Sequence, residues 1–67
     1  MKPSELAILR CLRDGHANLR VMARVAAVGV TTAQSIVWTL ERMGHITGGG
    51  HVPWRLTEAG RRALESK

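Results

Sequence analysis

The side chains best suited to directional hydrogen bonding are concentrated between positions 31 and 42. Gln34 can pair in a bidentate way with adenine, and Ser35 and Thr39 can reach a base edge or a phosphate. Gln34 also has a structural interpretation, because it stands three residues after Thr31 and completes the pattern of a helix capping box. The segment is therefore a candidate contact surface that offers partners for base edges and phosphates, and it begins at a predicted helix N-terminus.

Four further residues of the same segment extend this predicted surface. Thr31 and Thr32 lie at the expected helix N-terminus, where unpaired backbone amides and the helix dipole favour a phosphate. Arg42 lies near the other end of the helix and can bind the nucleic-acid backbone. Trp38 has two interpretations, which are a contact to a sugar or a thymine methyl group, and packing on the hairpin or a partner chain.

The charge of the chain favours an anionic partner. The net charge is +5, and arginine supplies eight of the ten basic residues. Positions 16–55 carry four arginines against Glu41 alone, a net of +3, whereas each flanking segment carries +1. Guanidinium groups bind phosphates and guanine edges well. The middle of the chain is therefore the predicted contact face, although charge that serves only solubility would give the same total.

Other functional classes find little support in the residues. No serine or cysteine has an evident base nearby, so we expect no enzymatic activity. The three histidines and Cys11 lack paired ligand spacing, so we expect neither a metal site nor a cofactor. The single cysteine excludes an internal disulfide and is predicted to be a small buried apolar group. With no apolar run of 18 residues and no signal-peptide pattern, we expect a cytoplasmic protein without membrane contact.

Sixty-seven residues allow one domain over 1–67, in which a few short elements must position the polar side chains. Helices are predicted over 4–14, 19–28 and about 32–43, a β-hairpin over 45–56, and a last helix from Glu58 to about Ser66. The predicted punctuation is Asn18 as a cap, Gly29-Val30 as a tight turn, Thr31 and Thr57 as caps, and Gly48–Gly50 as the hairpin turn.

Apolar residues at helical spacing predict the core. The residues expected to face inward are Ile8, Leu9 and Leu12 on the first helix, Val21, Met22, Val25 and Val28 on the second, and Ala33, Ile36, Val37, Leu40 and Met43 on the third. Trp54 is predicted to anchor the hairpin to this core.

The order of these elements resembles that of a winged helix-turn-helix domain. The third predicted helix ends in Leu40-x-x-x-Gly44-x-Ile46, and the hairpin continues as Trp54-x-Leu56-Thr57-x-x-Gly60-Arg61. Both patterns are similar to those of MarR-like and PadR-like transcriptional regulators. The resemblance implies a mainly α, α+β fold with a three-helix core, a two-stranded β-wing and a short C-terminal helix.

The same resemblance implies a binding mode. The third helix would enter the major groove, and the wing over 45–56 would lie on the adjacent backbone. Arg20 and Arg24 on the second helix would cross the other strand, while His51 and Arg55 of the wing would approach the minor groove. The expected protein is a small sequence-specific transcriptional regulator, and many such proteins act as homodimers because one short module buries little surface.

Two other functions stay open. The first is a protein–protein interaction module, an adaptor or an inhibitor encoded by a phage or another mobile element, that uses the Trp38 face. The second is a nonspecific architectural or RNA-binding protein, although the scarcity of aromatic residues disfavours single-stranded targets. A continuous surface of arginines beside the third helix would favour DNA, whereas an apolar patch centred on Trp38 would favour a protein partner.

Overall fold

Four helices and one antiparallel hairpin follow one another in the predicted order. The computed structural model describes residues 2–50 and 52–65. The elements are α1 (Pro3–Arg13), α2 (Leu19–Ala26), α3 (Val30–Arg42), β1 (Ile46–Gly49), β2 (Val52–Leu56) and α4 (Glu58–Glu65). This confirms a small, mainly helical α+β fold. Ser66, where the last helix was expected to end, lies outside the described residues.

The first helix begins and ends with recognisable local signals. Pro3 occupies its first position, and the Glu5 carboxylate accepts a hydrogen bond from the Lys2 backbone amide at 3.0 Å. Beyond its C-cap at Asp14, Gly15 adopts a φ of 86°, which allows the His16 amide to donate to the Cys11 carbonyl at 2.8 Å. This pairing satisfies the last carbonyls and turns the chain toward α2.

The second helix is shorter than predicted. Its start is confirmed, because the Asn18 side chain accepts hydrogen bonds from the amides of Arg20 and Val21. Its end at position 28 is wrong, since the helix stops at Ala26 and Ala27 takes the left-handed conformation, with a φ of 58°. The Val28 amide then donates to the Ala23 carbonyl at 3.0 Å, which closes the helix without a glycine.

The third helix starts earlier than predicted. The interhelical turn is Ala27–Gly29 and not Gly29-Val30, so Gly29 is the N-cap and Val30 the first helical residue. Thr31 is consequently inside the first turn, and the capping box expected between Thr31 and Gln34 does not form. A capping threonine needs extended backbone, and here the extended residue is Gly29, with φ −69° and ψ 160°.

The first strand of the hairpin is longer than predicted at its end. It includes two of the three glycines that were expected to form the turn. Gly48 and Gly49 belong to β1, while His45, expected in the strand, precedes it. Both glycines have positive φ, and the register shifts between Thr47 and Gly49, as in a β-bulge. Ile46 pairs with Leu56 and Thr47 with Arg55, so the strands still align across the base of the hairpin.

The core lies between α1, α2, α3 and the base of the hairpin. Its buried residues are Ile8, Leu9, Cys11, Leu12, Met22, Ala23, Ala33, Val37, Leu40 and Ile46. Leu19, Ala26, Val28, Ile36, Trp54, Leu56, Ala63 and Leu64 pack against it while partly exposed. The predictions for α1, Cys11 and Trp54 are thereby confirmed.

Three residues expected inside lie on the surface. Val25 is 56% exposed, and Val21 lies one turn before it on the same outer side of α2. The inner side consists of Met22, as predicted, and of Ala23, whose small side chain lets α2 approach its neighbours closely. Met43 is 51% exposed because the chain reverses after it and Ile46 fills the core at this end.

Candidate nucleic-acid interface

Helices α2 and α3 form a sharply angled pair. Their axes are bent by 100° across the three-residue turn Ala27–Gly29. Both the angle and the turn length are those of helix-turn-helix units, in which the second helix projects its outer face.

No single described helix has both the length and the apolar character required to cross a membrane.

One line of side chains runs along the outer face of α3. Thr31, Ser35, Trp38 and Arg42 follow one another at intervals of four, three and four residues, which superimpose on a helix. All four are exposed, and Trp38 is 57% exposed. Because Ala33, Val37 and Leu40 occupy the opposite, buried face, this line points directly away from the core.

The two flanks of this line differ in their surroundings. Gln34, which is half-buried, and Glu41, which is exposed, lie on one flank. Thr32 and Thr39 lie on the other, where they line a cleft of about 320 Å³ together with Lys2, Ser4, Glu5, Ser35 and Ile36. The N-terminus of α1 is therefore a neighbour of the α3 surface, a feature that no motif in the sequence indicates.

The hydroxyl groups on α3 have a defined hydrogen-bonding polarity. Ser35 Oγ donates to the Thr31 carbonyl at 3.3 Å, and Thr39 Oγ1 donates to the Ser35 carbonyl at 3.0 Å. With their hydrogens donated to the backbone, both oxygens retain lone pairs that can accept a further hydrogen bond. They are consequently better placed to accept from a base amino group than to donate to a phosphate.

The N-terminus of α3 offers backbone donors. Its N-cap is Gly29, which has no side chain to accept from the first amides, and no side-chain cap occurs there in the described structure. The first described backbone bond of the helix is from the Ala33 amide to the Gly29 carbonyl, at 2.9 Å. The preceding amides can thus bind an anion, aided by the helix dipole.

Three arginines of the angled helix pair have no carboxylate partner within the described part of the chain. Arg20 and Arg24 are one turn apart and exposed on the outer side of α2, and Arg42 is exposed on α3. Within residues 2–50 and 52–65, the ion pairs are Arg13–Asp14 and Arg62–Glu58, so these three guanidinium groups are not neutralised there. Unpaired guanidinium groups are available to phosphates.

The hairpin contributes less to this surface than expected. Arg55 lies opposite Thr47 at the base of the hairpin and lines a groove formed with the C-terminal end of α1 and with α4. This groove is at the other end of α1 from the cleft beside α3. Of the candidate contact residues, Arg55 is therefore not grouped with the α3 side chains, and His51 lies outside the described residues.

Trp54 fixes the hairpin to the core. It is half-buried and packs against the core residues. Its ring also covers Gly49, where an added Cβ would lie 2.7 Å from the ring carbon Cη2. A side chain at Gly49, which pairs with Val52 in the hairpin, would therefore collide with the Trp54 ring.

The described residues show no group of three His, Cys, Asp or Glu side chains that could hold a metal ion. Burial raises the pKa of the Cys11 thiol, and the negative charge of Asp14 raises it further. The thiol is therefore held in its protonated, unreactive form.

Comparison with protein-family models, with curated proteins and with solved structures gives no match for this chain.

Proposed function

We propose that this protein is a winged helix-turn-helix regulator that binds double-stranded DNA in a sequence-specific way. Helix α3 would lie in the major groove, and the β1–β2 hairpin would be the wing. The observation that carries the proposal is the outer face of α3, which is the second helix of the pair bent by 100°. The side chains that project from this face, away from the core, are Thr31, Ser35, Trp38 and Arg42.

The side chains on this face suit different parts of a duplex. Gln34 can pair with adenine, because the capping bond that would compete for it does not form. The lone pairs that Ser35 and Thr39 retain suit the amino groups of adenine or cytosine. Arg42 and the free amides at the start of α3 suit phosphates, which position the helix without reading sequence.

Electrostatics support the same orientation. Arg20 and Arg24 extend the unpaired positive charge from α3 onto the outer side of α2. In helix-turn-helix binding, the first helix crosses the backbone while the second reads the bases. A module this small buries little surface on DNA, so the proposal includes a homodimer on two half-sites.

A protein–protein interaction module is the second candidate function, and the exposure of Trp38 favours it. An exposed tryptophan is a frequent anchor of protein interfaces. On its own helix, however, Trp38 is surrounded by polar residues, namely Thr31, Gln34, Ser35, Glu41 and Arg42. This setting supports DNA over an apolar partner surface.

Selection from a random duplex pool tests the proposal. The full chain is used alongside Gln34→Ala, Arg42→Ala and Trp38→Ala, with Arg62→Ala as a matched control because Arg62 is an exposed arginine paired with Glu58 on α4. We expect an enriched motif for the wild type. Gln34→Ala should change the preferred base at one position, at a cost of roughly 1–3 kcal/mol, and Arg42→Ala should weaken all sequences alike.

Two outcomes would overturn the proposal. The first is the absence of any enriched motif at low salt. The second is enrichment that Gln34→Ala, Arg42→Ala and Arg62→Ala leave equally unaffected, because binding would then use another surface. The interaction module would be supported instead if Trp38→Ala lost binding to a protein partner while its recovery of DNA stayed unchanged.

A further inference from the structure

A second groove lies away from the α3 surface. It measures about 680 Å³ and is enclosed by the C-terminal end of α1, the base of the hairpin, and α4. Its lining residues are Leu12, Arg13, Thr47, Arg55, Leu56, Thr57, Arg61, Leu64 and Glu65. We call it the arginine groove. Helix α1 is 11 residues long, about 16 Å at 1.5 Å per residue, and separates this groove from the cleft beside α3.

The arginine groove combines an apolar floor with a cationic rim. Leu12, Leu56 and Leu64 supply the apolar side chains, of which Leu12 belongs to the buried core and the other two are half-buried. Arg13, Arg55 and Arg61 supply positive charge, which exceeds the one carboxylate of the lining, Glu65. Arg13 contacts Asp14 at 3.3 Å, whereas Arg55 and Arg61 have no ion-pair partner among the described residues.

This combination selects the chemistry of an occupant. Phosphodiester backbones gain nothing from a leucine floor, because their outer surface is charged throughout. A symmetric contact between the grooves of two copies would place one positive rim against the other, which electrostatic repulsion disfavours. An acidic polypeptide with apolar side chains between its carboxylates matches both features. Arginine forks bind carboxylates in a bidentate way, and leucines accept the apolar anchor.

We propose that the arginine groove docks an acidic, amphipathic segment of a partner protein. Carboxylates of the segment would pair with Arg61 and with the terminal guanidinium nitrogens of Arg13, whose Nε contacts Asp14. One or two apolar side chains between them would contact Leu56 and Leu64. This site is distinct from the α3 surface, and the proposal holds whether or not α3 binds DNA.

A pair of charge-matched variants tests the docking site. Arg13→Gln/Arg61→Gln removes two arginines of the groove, whereas Arg10→Gln/Arg62→Gln removes two exposed arginines on the same two helices that do not line it. Arg55 is left intact because it is also a candidate DNA contact. The probe is a phage-displayed library of random 12-residue peptides, selected on the wild-type chain, and the recovered peptides are then titrated against both variants.

We expect the wild type to enrich peptides in which Asp or Glu flank apolar residues. A recovered peptide should bind the groove variant about five- to tenfold more weakly than the wild type, and the control variant within twofold. When this peptide is added, the amide chemical shifts of the protein should change around Leu56 and Leu64 and not on α3. Matching thermal unfolding curves for the two variants would show that the loss is local.

Several results would overturn this proposal. These are enrichment without acidic residues, equal binding by the two variants, or no enrichment at all. Loss of duplex binding in the groove variant alone would show that the groove contacts nucleic acid. A wild-type dimer that the groove variant loses, seen by sedimentation, would identify a second copy as the occupant. Failure of DNA binding with intact peptide docking would affect only the function proposed for α3.

Discussion

The backbone of Gly60 lies directly against the carbonyl oxygen of His45. A Cβ added to Gly60 would overlap this oxygen and would also lie 3.2 Å from Leu56 Cδ2. The same carbonyl accepts a hydrogen bond from the Thr57 amide at 3.0 Å, and the Thr57 hydroxyl donates to the Gly44 carbonyl. The end of α3 and the start of α4 are thus joined through backbone groups, which is what positions α4 beside the hairpin.

Gly60→Ala is expected to destabilise the fold. Alanine favours helix, but the added methyl group must displace backbone, so we expect a net loss of about 1–3 kcal/mol. Urea unfolding followed by circular dichroism measures this loss. Gly29→Ala is the control without a clash, because Gly29 has negative φ and its added Cβ would meet nothing within 4 Å. Only the weaker capping preference of alanine should act on it, so its loss should be the smaller one. Equal stability of the two variants would contradict the close packing at Gly60.

Ala27→Gly is expected to stabilise the protein. Ala27 is the non-glycine residue with positive φ in the described structure, and its side chain is exposed. Left-handed backbone costs an alanine roughly 1–2 kcal/mol, part of which is offset because glycine gives the unfolded chain more freedom. We therefore expect a gain of about 0.5–1 kcal/mol, seen as a higher Tm. Ala59→Gly, on the exposed side of α4, makes the same chemical change in helical backbone and should lower Tm instead.

The salt dependence of duplex binding should identify the phosphate contacts. If Arg20 and Arg24 contact the backbone, each single change to alanine should reduce the slope of log K against log salt by about 1. Fluorescence anisotropy with one duplex at several salt concentrations measures this slope. Arg10→Ala, an exposed arginine of α1, should leave the slope unchanged. A similar reduction for all three variants would indicate an effect of net charge alone.

Cys11 should make stability depend on alkaline pH. Burial, with a smaller contribution from Asp14, raises the pKa of its thiol in the folded protein. The unfolded chain therefore loses this proton first. Its contribution to stability is complete below the unfolded pKa and is lost as pH rises through the folded pKa. We expect the free energy of unfolding to decline across that window, and Cys11→Val to lack this component. The same alkaline decline in Cys11→Val would show that another group causes it.

Much of the fold follows from local signals in the sequence. Pro3, Asn18 and Thr57 begin helices, and Gly15 and Gly44 end them, because each acts on backbone groups only a few residues away. The periodic apolar residues of α1 identified its buried face correctly for the same reason. The largest errors in the helix bounds fall at the turn after α2, where Ala27 adopts a conformation that sequence rules assign to glycine.

The residues on α3 were likewise determined by the sequence, since a helical repeat alone places Thr31, Ser35, Trp38 and Arg42 on one side. Only the tertiary structure brought Lys2 and Ser4 beside that helix, and only it moved Arg55 into a groove with Arg61. These neighbours are distant along the chain, and their meeting depends on how the elements pack. Periodicity reports which side of an element is buried, but it does not report which other element covers it or which lies alongside.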